Sequence, residues 1–404
     1  MKLNDTNSVQ RRKTAGANMT KVLYLIITIL LATGCDKYNK AFDYRDGMAR
    51  VMKYAHGGKT IYGYIDETGE LMVEVKYRVA EDFNNGIAIV ADNEYRHGVI
   101  DKSGKEIIPC RYHSDLKIRG DYVITSEDGP RCSIFDLKGN CMISGKYDRI
   151  IDICEGYASF KLDDSYGVVN CENGEERIFE ETVAHIDTFV NGFAVVYAAK
   201  YYGGLKGMIN CRGEYIIPPI YFNVNQFSNG LARVEFCESY IQTVVKSREV
   251  GGTEYISNMD NESLDPLFGF YNESGKLVIP LKYCCAHDFS DNLAYVQETN
   301  DPYREQRLYP TYKPDEKPIV VANMILNTWK SFKMHQIDYS KDKKYFIDKT
   351  GKKVLTVNYD AVYDFIHGVA VVYKKGKGYG CIDKTGKETV SCIYKTKEEA
   401  QNAI

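Results

Sequence analysis

What the chain lacks narrows its chemistry first. It has no Gly-x-Ser-x-Gly elbow, no phosphate-cradling glycine loop and no dinucleotide fingerprint. None of its 12 cysteines stands in a Cys-x-x-Cys pair, and its 7 histidines show no metal-ligand spacing. No catalytic motif, cofactor or metal site is therefore expected. A basic stripe is also missing. Beyond residue 35 there are 47 Lys and Arg against 54 Asp and Glu, a net charge of −7, so nucleic-acid binding has no electrostatic footprint. The apolar run from Val22 to Ala32 has eleven residues, too few to span a bilayer comfortably.

What is there is repetition. The stretch from Phe83 to Tyr112 reads Phe83-Asn-Asn-Gly86-Ile-Ala88-Ile-Val90, then Gly98-Val-Ile100-Asp101-Lys-Ser-Gly104-Lys105-Glu-Ile-Ile-Pro109-Cys-Arg-Tyr112. Ile87 and Ile89 alternate with Ala88 and Val90, the period of a strand opened by an Asn-Gly turn. His97 to Ile100 reads as a second strand. Asp101 at the first turn position and Gly104 three residues on suit a type I turn followed by a glycine bulge. Glu106 to Ile108 is the third strand, and Pro109 is expected to end it because it cannot donate to a ladder. One copy is a three-stranded antiparallel meander, too small to bury enough surface alone, so neighbours must supply the rest.

The same grammar returns along the chain. Turn glycines recur at Gly47, Gly86, Gly120, Gly156, Gly192, Gly230 and Gly368, with Asn292 in the seventh copy. Phe83, Phe189, Phe227, Phe289 and Phe365, with Ile153, stand three residues before this anchor, and a small alanine stands two after it in all copies but the third. The hairpin turns pair Asp66 with Gly69, Asp101 with Gly104, Asp136 with Gly139, Asp348 with Gly351 and Asp383 with Gly386, while Asn170, Asn210 and Asn272 replace Asp elsewhere. Residues copied once per repeat point to turns rather than to catalysis. Closing tyrosines recur at 77, 112, 147, 221, 283, 359 and 394. An all-β array of about eight meanders is expected over residues 36–394, either open and solenoid-like or closed like a propeller. Unequal repeat lengths favour the open form.

The pattern Phe-x-x-Gly-x-Ala-x-Val, then aromatic-Gly-aromatic-Ile-Asp-x-x-Gly-Lys, then Ile-Pro-x-x-Tyr resembles the bacterial WG repeat from Phe42 to Tyr394. The signature Trp is replaced by Tyr62, His97, Tyr166, Lys206, Phe268 and Tyr379 before the glycine. The resemblance implies a β-rich repeat protein, often envelope-associated, with no general activity and no catalytic residues.

Residues 1–35 fall outside this array. Basic residues, the short apolar run and then Ala32-Thr33-Gly34-Cys35 make a secretory signal whose end resembles a bacterial lipobox. That implies lipid on Cys35 and a membrane-anchored lipoprotein of the cell envelope. Met19 is an alternative start, and an uncut signal anchor is an alternative reading. Two copies are stretched, by insertions at 237–266 and 297–343. Long loops on regular repeats often gather on a binding face, which makes Tyr240, Tyr303, Tyr309, Tyr312 and Trp329 the candidate binding residues for a protein or glycan of the envelope. The alternative is a tolerated insertion with no role. The 33 tyrosines read mainly as strand packing, with a glycan-stacking platform as the alternative. Scattered cysteines such as Cys110, Cys171, Cys211 and Cys392 read as small buried hydrophobes, and the Cys284-Cys285 pair has no evident role. His287 with Asp288 could in principle do acid–base work, but a surface loop pair is the favoured reading. A non-catalytic binding or scaffold protein is expected, with an envelope hydrolase built in the inserts as the alternative. Residues 395–404 read as a frayed helical end.

Overall fold

The computed structural model describes residues 37–113, 116–126, 131–179, 183–198, 204–237, 266–298 and 343–404. Among them are eight four-stranded antiparallel sheets, each laid down in chain order, and one short helix, Lys397–Gln401. None of the sheets closes on itself. The chain divides at Asp148 and Arg149 into two compact units, the first holding three sheets and the second five.

The second sheet shows the construction. Its strands are Val79–Ala80, Ile87–Ala91, His97–Asp101 and Glu106–Tyr112. Each meander thus has one strand more than the sequence pattern suggests. The extra strand precedes the anchor turn, which is itself a tight hairpin. Asn85 and Gly86 take φ of 52° and 83°, and Asn84 bridges Ile87. Two successive positive φ values mark the type I′ turn, whose twist matches that of the strands it joins. Asp46-Gly47, Glu155-Gly156, Asn191-Gly192, Asn229-Gly230, Asp291-Asn292 and His367-Gly368 repeat it.

The third sheet differs. Arg119 pairs with Tyr122, so Gly120 is the first turn residue and Asp121 the second. With the anchor moved to Asp121, Ile118 takes the apolar slot before the turn and buried Val123 the small slot after it. In the first sheet the slot three before the anchor belongs to Tyr44, which pairs with Ala49.

Pro109 does not end its strand, which continues to Tyr112. The register slips between the pairs Val99–Ile108 and His97–Tyr112, and Pro109 sits in that bulge on the outer strand, where no ladder partner needs its missing N–H. Pro280 does the same within Leu277–Tyr283. The bulge also explains the glycine before each turn strand. A Cβ on Gly98 would stand 2.7 Å from the Ile108 carbonyl, and one on Gly380 2.6 Å from that of Val390. The preceding residues Tyr62, His97, Lys206, Phe268 and Tyr379 lie opposite closing tyrosines. Where Tyr345 replaces the glycine, the last strand stops at Thr356 and Tyr359 is left outside the ladder.

Both faces of an inner sheet are covered. Ala88, Val90 and Ile100 pack with Tyr64 and Val73 of the first sheet, while Ile87, Ile89 and Val99 pack with Val123 and Phe135 of the third. The alternation of the strand therefore feeds two cores, one on each neighbour. In the second unit the fifth and sixth, sixth and seventh, and seventh and eighth sheets share cores in the same way. The C-terminal helix covers the last sheet. It is capped rather than frayed: Thr396 and Glu399 form a capping box, and buried Ala400 packs with Val371, Cys381 and Val390.

Candidate functional site

The repeated turn residues do structural work. Asp101 Oδ1 accepts from Ser103 N–H at 2.9 Å, Ser103 Oγ at 2.6 Å and Lys105 N–H at 3.0 Å. Asp66, Asp348 and Asp383 hold Thr68, Thr350 and Thr385 identically, and Asp136 holds Lys138 and Asn140. Hydroxyl donation by these threonines, aided by backbone N–H groups, holds the Asp66, Asp348 and Asp383 carboxyls below their usual range. Asn210 makes the same bonds without a charge. Several of the turn glycines face the preceding sheet. Gly104 abuts Val73, Gly139 the Ile107 carbonyl, Gly351 the Ile279 side chain and Gly386 the Leu355 side chain.

The candidate binding residues Tyr240, Tyr303, Tyr309, Tyr312 and Trp329 lie outside the described residues, as does Cys35. The roots of both insertions are described. The first leaves from Phe236, paired with Leu267, both buried. The second leaves from Glu298, paired with Lys343, and Tyr345 donates to Glu298 at 2.6 Å. Both insertions thus replace the same hairpin, between the second and third strands, of adjacent sheets that share a core.

Beside the second root, polar side chains link consecutive sheets. Asp288 does not partner His287. It turns back to accept from Arg233 Nε at 2.9 Å and Asn225 Nδ2 at 2.8 Å. His287 reaches forward, with Nδ1 2.7 Å from Asp364 Oδ1 of the next sheet. The pairing follows the repeat phase. Asn225 and His287 stand two residues before Phe227 and Phe289, and Asp288 and Asp364 stand one before Phe289 and Phe365. The register of the motif therefore contained the signal, once copies are compared across sheets rather than along one loop. The imidazole is 34% exposed and has the Tyr295 ring 5.0 Å away. The Asp364 carboxylate, then the Cys285 thiol, raise its pKa to about 9 against partial desolvation. Asp364 also lines a cavity of about 380 Å³ with Tyr363, His367, Val369 and Lys397. Among the described residues, no group of three or more His, Cys, Asp or Glu could hold a metal ion.

Cys154 and Cys211 form a disulfide between the fourth and fifth sheets, so Cys211 is not the simple buried hydrophobe that its slot suggests, whereas Cys171 is a buried thiol. The pair is invisible in sequence because its members come from different slots of different copies. Cys284 bonds the Gln297 carbonyl, and Cys285 is a half-buried thiol.

Five stretches, 62–95, 98–114, 207–236, 268–301 and 346–377, match the WG containing repeat. No curated protein matches. Among solved structures, the computationally designed Ika8 protein is similar at 12% identity and a TM-score of 0.29, over 63% of this chain and 78% of that one. BamB from Moraxella catarrhalis is similar at 14% identity and a TM-score of 0.26, over 64% and 81%.

Proposed function

We propose that this chain, a carrier of WG containing repeats, is a non-catalytic binding or scaffold protein anchored to the cell envelope through lipid on Cys35. The described repeats form the support, and the insertions at 237–266 and 297–343 make the contact with a protein or glycan partner. One observation carries the reading: both insertions leave from the same hairpin, between the second and third strands, of two neighbouring sheets with a common core. A rigid sheet pair that presents two adjacent loops is a usual way to build a recognition surface. The Cys154–Cys211 disulfide supports a place outside the reducing cytoplasm.

Two measurements test the reading. Metabolic labelling with a fatty acid should mark the wild-type chain and leave Cys35→Ser unlabelled and released from the membrane; label retained in Cys35→Ser removes the anchor. A pull-down from envelope extract with the soluble domain should recover a partner that is lost when both insertions are shortened to tight turns. A partner retained by that variant would refute the assigned surface. Turnover in a hydrolase panel, abolished by substitutions in the insertions, would replace the scaffold reading with an enzyme.

A further inference from the structure

We propose that one end of the first sheet, where its second strand turns into its third, is a docking surface for the anionic headgroups of a phospholipid bilayer. The tether that brings it to the bilayer rests on the reading of lipid on Cys35; the charge and geometry of the surface do not. The strands of this sheet are Lys40–Arg45, Met48–Ala55, Lys59–Asp66 and Leu71–Tyr77. Lys37, Lys40, Lys53 and Lys59 gather at the end in question, where Lys40 pairs with Met52 and Ala55 with Lys59. Residues 48–65 contain no Asp or Glu. The acids of the sheet collect at the opposite end, Asp46 in the anchor turn and Asp66, Glu67 and Glu70 in the next turn. Asp43 and Glu74 lie in bulges midway along the outer strands.

This positive charge is not spent on ion pairs. Among the described residues no carboxylate pairs with any of the four lysines. Their neighbours are rings instead. Lys37 and Lys53 lie over Tyr38 at 5.6 and 5.4 Å, and Lys40 lies over Phe42 at 4.4 Å. Lys37, Lys40 and Lys59 are exposed. Tyr54, next to Lys53, is 63% exposed; a ring with a hydroxyl tip suits the headgroup level of a membrane. The surface continues onto the second sheet, where Arg78 donates to the Thr60 carbonyl and to the Tyr95 hydroxyl. The acids of that sheet's hairpin, Asp92 and Glu94, are both taken by Arg96. In a chain whose net charge beyond residue 35 is −7, so local a concentration of unpaired cations fits an anionic partner.

The path of the chain says which anionic partner. It enters the sheet at this same end: the Asn39 N–H donates to the Met52 carbonyl at 2.9 Å, and Asn39 Oδ1 accepts from the Tyr54 N–H at 2.8 Å. Four residues separate Cys35 from Asn39, a reach of at most about 14 Å. A lipid on Cys35 therefore brings the lysines to the headgroup plane, where each cation near an anionic surface is attracted and the attraction fades over a Debye length. A lipid chain joined by a basic patch is the two-signal arrangement that makes membrane attachment stable.

Vesicle sedimentation tests the surface without the lipid. The chain from residue 36 to 404 keeps every described strand and lacks an acyl group, so its result and the labelling of Cys35 can fail separately. It should bind vesicles of phosphatidylglycerol mixed with phosphatidylcholine, release them as salt rises, and leave pure phosphatidylcholine unbound. Lys40→Gln with Lys59→Gln should lower the partition coefficient by about 30-fold, near fivefold for each lysine. Lys375→Gln with Lys387→Gln removes the same charge from exposed positions of the last sheet and should change it by less than about twofold. Near-UV circular dichroism establishes that each variant is folded. No binding to the anionic vesicles, equal binding to both kinds, or equal losses in the two double variants overturns the proposal. So does equally tight binding to single-stranded DNA, which would make the patch a general polyanion surface. The wild-type comparison of vesicles decides it even if a variant does not fold.

Discussion

Substituting two glycines with the same backbone angle separates local strain from contact between repeats. Gly86 and Gly139 have φ of 83° and 86°, so alanine at either position is forced into the left-handed region, at about 1–2 kcal/mol. Their surroundings differ. A Cβ at Gly86 meets nothing within 4 Å, whereas at Gly139 it runs into the Ile107 carbonyl of the preceding sheet and lies 3.0 Å from that carbonyl's carbon. The obstacle is backbone in a paired strand, Glu106–Tyr112, which cannot turn aside as a side-chain tip would. Overpacking of this kind adds about 1–3 kcal/mol. Gly86→Ala should therefore cost about 1–2 kcal/mol and Gly139→Ala about 2–5. Urea unfolding followed by circular dichroism gives both values. Hydrogen exchange should show lost protection in Glu106–Tyr112 for Gly139→Ala alone. Equal losses in the two variants, or unchanged exchange in that strand, would refute the idea that the hairpin turn of one repeat is seated on the sheet before it.

Other outcomes follow from the same geometry. Asp101→Ala should cost about 1–2 kcal/mol for the lost turn bonds, while Asp101→Asn should stay within about 0.5, since Asn210 serves the same turn; differential scanning calorimetry compares the two. Asp66, Asp348 and Asp383 have folded pKa values below their unfolded ones. Their contribution is complete above about pH 4 and is lost as pH falls through the lower folded values. A triple Asp→Asn variant should therefore lose less stability than the wild type between pH 5 and pH 2.5 in urea titrations. Reduction of Cys154–Cys211, which closes a separation of 57 residues, should lower stability by about 4 kcal/mol on chain-entropy grounds, read as a shift in the urea midpoint with and without reductant. Tyr221→Phe strips the Tyr271 hydroxyl of its 2.8 Å partner in the core shared by the fifth and sixth sheets and should cost about 1–3 kcal/mol in the same assay.

Much of the fold was legible because strand alternation and turn chemistry are local. Asn85-Gly86 demands a tight hairpin, and Asp101 with Gly104 fixes the next turn, whatever surrounds them. Ile87 and Ile89 face away from Ala88 and Val90, and the structure covers both faces. The extra strand in each sheet was harder to see. Val79–Ala80 is only two residues long and is a strand only because Ala91 and Val90 lie opposite it. Pro109 misled for a related reason. Its local rule is sound, but only the bulge on an outer strand makes its missing N–H harmless.

The candidate site divides the same way. The sequence by itself determined the repeat period, the turns and where the insertions interrupt it, because backbone angle and side-chain period are set within a few residues. Only the tertiary structure decided that His287 meets Asp364 rather than Asp288, that Cys154 finds Cys211, and that the two interrupted sheets share a core. These contacts join residues dozens of positions apart. Their partners are chosen by how sheets stack to bury both faces, and stacking is a property of neighbours that no single copy contains.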